Sequence, residues 1–199
     1  MSKETLLQID TDQELAKIIQ KMNTLHDQLA APDIFRKALN AAGRKVRKQM
    51  VADAKEQYAI KDTKALKDKA KGAPEFLSAS TSNLTARIRA RGPMQDIMAF
   101  MTRPNTKTGA AAAKVLNSSA MKELQIDNLK AFVATFASGH TAIFQRRGPE
   151  RLPVKKLLSP SVPHLLNNEK VRAKAAEMTY DILQQEIEKQ IAKVWAKTA

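Results

Sequence analysis

Apolar residues recur at helical spacing near the start of the chain. Leu15, Ile18, Ile19, Met22, Leu25 and Leu29 form one stripe and predict a helix over 12–29. Thr11 and Glu14 have the spacing of a capping box at its start. Pro32 is expected to end this run, with Asp33 capping a second helix. The apolar positions of that helix are Ile34, Phe35, Ala38, Leu39, Ala42, Val46, Met50, Ala54 and Tyr58, while Arg36, Lys37, Arg44, Lys45, Arg47 and Lys48 crowd its other faces. Gly43 costs such a helix about 1 kcal/mol relative to Ala and permits close approach of a neighbour. A short basic helix is expected over 63–71, capped by Asp62 and ended by Gly72 and Pro74, and the Ser, Thr and Pro content of 73–83 reads as a loop.

The period then changes from helical to alternating. Leu84, Ala86, Ile88 and Ala90 alternate with Thr85, Arg87, Arg89 and Arg91, predicting a half-exposed strand closed by Gly92 and Pro93. A second strand is expected over 96–100, although its alternation is poor. A loop follows over 103–110, and 111–116 is compatible with strand or helix. The clearest local signal is a hairpin: 131–136 and 141–145 flank Ala137, Ser138, Gly139 and His140, with Gly139 supplying a positive φ. After a loop over 146–152 and an apolar-and-basic stretch over 153–158, Pro153, Pro160 and Pro163 predict an extended, non-helical path.

A long amphipathic helix closes the chain over 168–197, with Val171, Ala175, Met178, Ile182, Ile187, Ile191 and either Val194 or Trp195 inward. Asp181, Glu186 and Glu188 read as its solvated face. The order of elements predicts an α+β fold: N-terminal helices and a long C-terminal helix packed on a central antiparallel sheet that contains the hairpin near 131–145. The expected organisation is one domain over 1–199, helical over 12–71 and mainly β over 84–158.

Composition narrows the chemistry. Lys and Arg number 34 against 20 Asp and Glu, a formal charge of +14, and aromatic residues make up only 5%. The absence of cysteine excludes disulfides, Cys-ligated metals and thiol nucleophiles. The N-terminus lacks the apolar core of a secretory signal, and no stretch approaches the roughly 18 apolar residues of a membrane span. A soluble intracellular product, or one that leaves the cell only as part of a particle, is the expectation. His26, His140 and His164 show no metal-ligand spacing, and no phosphate-binding glycine loop, nucleophile elbow or HExxH occurs. Ser138 and His140 are explained by turn chemistry. No catalytic, cofactor-binding or metal-ligating residue is assigned, no cofactor is expected, and an enzyme is not the expectation.

The cationic excess has two readings: docking onto acidic protein neighbours, or contact with nucleic-acid phosphates through counterion release. Arg87, Arg89 and Arg91 would place three guanidinium groups on one side of a strand. Arg146, Arg147, Arg151, Lys155 and Lys156 cluster beyond the hairpin. No helix-turn-helix or base-stacking pattern supports sequence-specific reading.

The segment 130–166, KAFVATFASGHTAIFQRRGPERLPVKKLLSPSVPHLL, resembles the minor tail protein Z and related tail-completion proteins of long-tailed phages and prophages. The matching positions are Ala131, Phe132, Gly139, Phe144, Arg146 or Arg147, Arg151, Leu152, Pro153, Val154, Pro160, Ser161 and Pro163. Upstream, Ala38, Leu39 and Asn40, the segment 86–92 and Phe100 are similar to other parts of the family pattern. Lys130 and Ser159 stand where the family often has glycine. The resemblance implies a structural virion protein acting late in tail assembly, in the host cytoplasm and then in the tail or neck. It would assemble as a homo-oligomeric ring between the tail tube or terminator and the head–tail connector, with non-specific contact to passing DNA and no membrane partner. In this setting Arg146, Arg147, Arg151, Lys155, Lys156, Pro160, Ser161 and Pro163 are candidate interface residues. Phe132, Phe136, Ile143 and Phe144 are expected to be hairpin core contacts.

Overall fold

A computed structural model describes residues 4–9, 25–61 and 63–198. The predicted helical stripe over 12–24, the Thr11–Glu14 cap and the Asp62 cap lie outside the described residues. The chain is 43% helical and 25% strand, with antiparallel sheets and a long C-terminal helix. It divides into two compact units. One comprises Met1–Ala52, Pro74–Arg91 and Leu166–Ala199; the other comprises Asp53–Ala73 and Gly92–Leu165.

Helix α1 runs over Leu25–Gln57 and contains Pro32, so the predicted break there does not occur. A proline inside a helix forfeits one backbone hydrogen bond and crowds the preceding turn, at a cost of about 3 kcal/mol. Burial on either side of it opposes that cost: Ala31, Ile34, Phe35, Ala38 and Leu39 are all essentially inaccessible, whereas Pro32 itself is exposed. Asp33 is therefore no cap. Its carboxylate instead accepts hydrogen bonds from Arg36 and pairs with Lys37 at 2.5 Å, and these two cations hold it below the usual carboxylate range. The nine apolar positions predicted for this stretch are all buried.

In the first unit the α1 face meets a three-stranded antiparallel sheet of order β1–β3–β2, formed by β1 (Glu4–Ile9), β2 (Glu75–Leu77) and β3 (Ala86–Ala90). Ala86, Ile88 and Ala90 point inward, as the alternation predicts. Strand β1 was not anticipated, and its register slips between Thr5 and Leu7, which breaks the alternation that reveals a strand. Strand β2 interrupts the predicted 73–83 loop and is too short to show a period. At Gly43 a Cβ atom would overlap the Phe76 ring, so the missing side chain makes room for packing.

Buried Asn40 clamps the chain at Ala79. Its Nδ2 donates to the Ala79 carbonyl (3.0 Å), and its Oδ1 accepts from the Ala79 amide (2.8 Å).

Helix α2 (Val162–Leu166) corrects the expectation that the prolines exclude helix from this region. Pro163 sits in the first turn, where a missing N–H is tolerated, and the Ser161 hydroxyl accepts from the His164 amide (3.4 Å). Helix α3 (Glu169–Thr198) starts at Asn168, whose side chain accepts from the Lys170 amide (3.0 Å). Val171, Ala175, Leu183 and Ile187 are buried and Val194 packs against the core, while Trp195 is exposed.

Glu186 departs from its predicted place on the solvated face. It shares a helix face with Leu183 and Ile187, is only 4% exposed, and receives Lys45 Nζ at 2.6 Å. That ammonium holds the carboxyl below the usual glutamate range despite burial.

The second unit holds small sheets in place of one central sheet. Its strands are β4 (Gln95–Asp96), β5 (Met101–Arg103), β6 (Ala112–Lys114), β7 (Lys122–Glu123), β8 (Gln125–Ile126), β9 (Leu129–Lys130), β10 (Phe132–Thr135), β11 (Thr141–Arg146), β12 (Val154–Lys156) and β13 (Leu158–Ser159). They pair as β5–β6–β7, β8–β9, β10–β11–β12 and β13–β4. Most are two or three residues long. The strand expected over 96–100 is mainly a 3-10 turn, Ile97–Ala99, capped by Asp96. The expected 63–71 helix is two 3-10 turns, Thr63–Lys67 and Lys69–Lys71. The second is capped by Asp68 and ended by Gly72 at φ 96°. The core joins Ile97, Ala111, Ala113, Ala131 and Ile143.

Replacing Asn40 with Leu keeps the volume near native but strands two buried backbone groups at Ala79. Asn40→Leu is expected to destabilise the protein by about 2–4 kcal/mol, read as a lower urea midpoint. An unchanged midpoint would remove the clamp from this account.

Candidate functional site

The resemblance-bearing segment folds around β11. Its hairpin tip closes where the Phe136 amide donates to the His140 carbonyl (3.0 Å) and the Gly139 amide to the Phe136 carbonyl (2.8 Å), with Gly139 at φ 77°. Below the tip Val133 faces Ile143 and Phe132 faces Phe144. On the other side of β11, Phe144, Gln145 and Arg146 face Lys156, Lys155 and Val154. Side chains alternate between sheet faces, so Phe132, Phe144, Arg146 and Lys156 share one face. Val133, Ile143, Gln145 and Lys155 share the other.

The first face is aromatic and cationic. Phe136 meets Phe144 edge-on at 4.7 Å between ring centroids, and the Arg146 guanidinium lies 5.8 Å from the Phe132 centroid. Phe144 and Ile143 are buried as expected, whereas Phe136 is 49% exposed. Lys156 is committed within the chain: its Nζ lies 2.8 Å from Asp96 Oδ2 and 2.9 Å from His140 Nε2. This contact ties β12 and the hairpin tip to β4.

On the opposite face Gln145 is buried and its Nε2 donates to the Leu129 carbonyl (2.9 Å), attaching the β8–β9 hairpin to β11. That hairpin turns at Asp127 and Asn128, both at positive φ (49° and 64°), the conformation of a two-residue type I′ connection. A pocket of about 410 Å³ is lined by Ile126, Asp127, Leu129, Gln145, Arg146, Arg147 and Lys155. The Arg147 amide donates to the Pro153 carbonyl (3.1 Å), which fixes the start of the loop carrying Arg151. The Leu152–Pro153 peptide is cis.

The structure thus brings Arg146, Arg147 and Lys155 together. Among the described residues none of the three forms an ion pair. Arg151 is exposed in the loop and does not line the pocket; Pro160 and Ser161 are half-buried and Pro163 is buried. In the other unit Arg87 is exposed and Arg89 half-buried on β3, opposite to its inward alanines and Ile88, while Arg91 is exposed just past the strand. Arg89 Nε is buried without a hydrogen-bond partner among the described residues. Sequence reasoning missed Ile126, Asp127, Leu129 and Gln145. The Asp127–Asn128 pair between two aliphatic residues was the available signal for the first three.

Among the described residues no group of three or more His, Asp or Glu is placed to hold a metal ion, and no helix is long and apolar enough to cross a membrane. Comparison with protein-family models, curated proteins and solved structures finds no match.

The two adjacent lysines of β12 have separable roles. Lys156→Ala is expected to lower stability by about 0.5–1 kcal/mol through loss of its partly buried ion pair, and Lys155→Ala to leave it unchanged within error. Thermal unfolding of both variants measures this, and equal effects would contradict the assignment.

Proposed function

We propose that this chain is a non-enzymatic tail-completion protein of a long-tailed phage or prophage, joining the tail tube to the head–tail connector as part of an oligomeric ring. The observation that carries the reading is the way the resemblance-bearing residues collect on one small sheet. Gly139 turns its hairpin, Phe132 and Phe144 pair across it, and Pro153 anchors the return strand. Arg146 and Arg147 emerge at its end with no intrachain ion pair among the described residues. Such a sheet suits docking, because its backbone is held before a partner arrives and little ordering entropy remains to be lost.

A second reading, non-specific nucleic-acid binding, draws on the charge of +14 and on the same cations. It requires duplex DNA affinity that falls steeply with salt.

Deleting the gene from its phage or prophage is expected to give separate filled heads and tails, or joined particles that fail to deliver DNA. Reversing Arg146, Arg147 and Arg151 together is expected to reproduce this defect while circular dichroism reports a folded chain. Normal infectivity after clean deletion would overturn the reading.

A further inference from the structure

The pocket beside β11 combines aliphatic and cationic lining. Part of the lining is aliphatic: Ile126, the last residue of β8, is 59% exposed, and Leu129 pairs with it across the turn. The lining also includes Arg146, Arg147 and Lys155, three cations to the single carboxylate of Asp127. Elsewhere in the described chain several cations are matched internally, as in Lys45–Glu186, Lys37–Asp33 and Lys156–Asp96. Here they are left unmatched around a concavity.

From this we infer that the pocket is a docking site for an acidic peptide segment of a neighbouring protein, one that presents an aliphatic side chain between carboxylates. The aliphatic side chain would cover Ile126 and Leu129, and the flanking carboxylates would meet Arg147 and Lys155. Arg146 borders the pocket at the end of β11, but its guanidinium lies over the Phe132 ring on the other sheet face, so Arg147 and Lys155 supply the charge that meets the ligand.

Charge complementarity selects an acidic ligand, and the lining selects a peptide over nucleic acid. A duplex needs a stripe of cations that follows a backbone of phosphates, and a single strand needs aromatic platforms for its bases. This pocket has three cations, no aromatic residue and one carboxylate in its lining. The inference takes from the tail-joining reading the premise that the cluster meets a protein, and it adds the chemistry of the segment recognised.

The test uses the full-length chain and a short fluorescein-labelled peptide alternating aspartate with leucine, followed by anisotropy. A matched peptide with serine replacing leucine is the control for charge alone, and a labelled DNA duplex is the control for phosphate. The expected result is saturable binding of the leucine peptide, weakened at least tenfold by Arg147→Glu with Lys155→Glu and several-fold by Ile126→Ser. The serine peptide is expected to bind several-fold more weakly than the leucine peptide. Ile126 and Lys155 are exposed, and circular dichroism verifies that each variant keeps its fold.

Equal binding of the two peptides, insensitivity to the substitutions, or tighter binding of the duplex that the same substitutions abolish would each overturn the inference. Failure here with a clear deletion phenotype would sink only the pocket's assignment. Peptide binding without a deletion phenotype would sink only the tail-joining reading.

Discussion

Strand β11 is buried on both faces along four consecutive residues, Ala142, Ile143, Phe144 and Gln145, and the surface around the pocket depends on that constraint. Ile143 enters the core with Ala131 and Ala113, Phe144 packs under Phe136, and Gln145 satisfies the Leu129 carbonyl. A slip of one residue would send each of these side chains to the wrong face. With the register fixed, Arg146 and Arg147 emerge at the end of the strand and Lys155 stands opposite Gln145. The positions of the cations are thus consequences of packing behind them.

The excess of positive charge is divided by the same geometry. Cations that lie against buried or half-buried carboxylates act as ties: Lys45 allows Glu186 to enter the core of the first unit, and Lys156 joins β12 to β4 in the second. Those beyond the end of β11 have no such neighbour among the described residues and remain available to an outside partner. Net charge alone does not distinguish the two sets. Adjacent residues, Lys155 and Lys156, belong to different ones because strand alternation turns them to opposite faces.

How much was legible in the sequence follows from how long each pattern persists. The buried face of α1 was read position by position from Ile34 to Tyr58, because a helical period repeated over many turns is hard to mistake. The main hairpin was read from Gly139 and its apolar flanks. Pro32 misled because its local cost is real, but the burial that outweighs it is visible only in the folded chain. Glu186 misled because an acidic residue is usually solvated unless a cation crosses from another element, and Lys45 lies far away in sequence. The central sheet dissolved into short strands, since two-residue pairings such as β4–β13 have no period to detect. The candidate site was half legible: its cations stand in a visible cluster, whereas the aliphatic lining comes from a hairpin whose strands, two residues each around Asp127 and Asn128, are too short to show a period.

The role proposed for this chain is that of a fixed contact element at the junction of head and tail. High-resolution imaging of intact particles or isolated necks of a phage or prophage whose genome carries this sequence tests this most directly. The account predicts a ring of this chain at the head-proximal end of the tail, with the Arg147 and Lys155 side of β11 and β12 against another protein. Particles that lack this chain, or that carry it with that side facing only solvent, would contradict it.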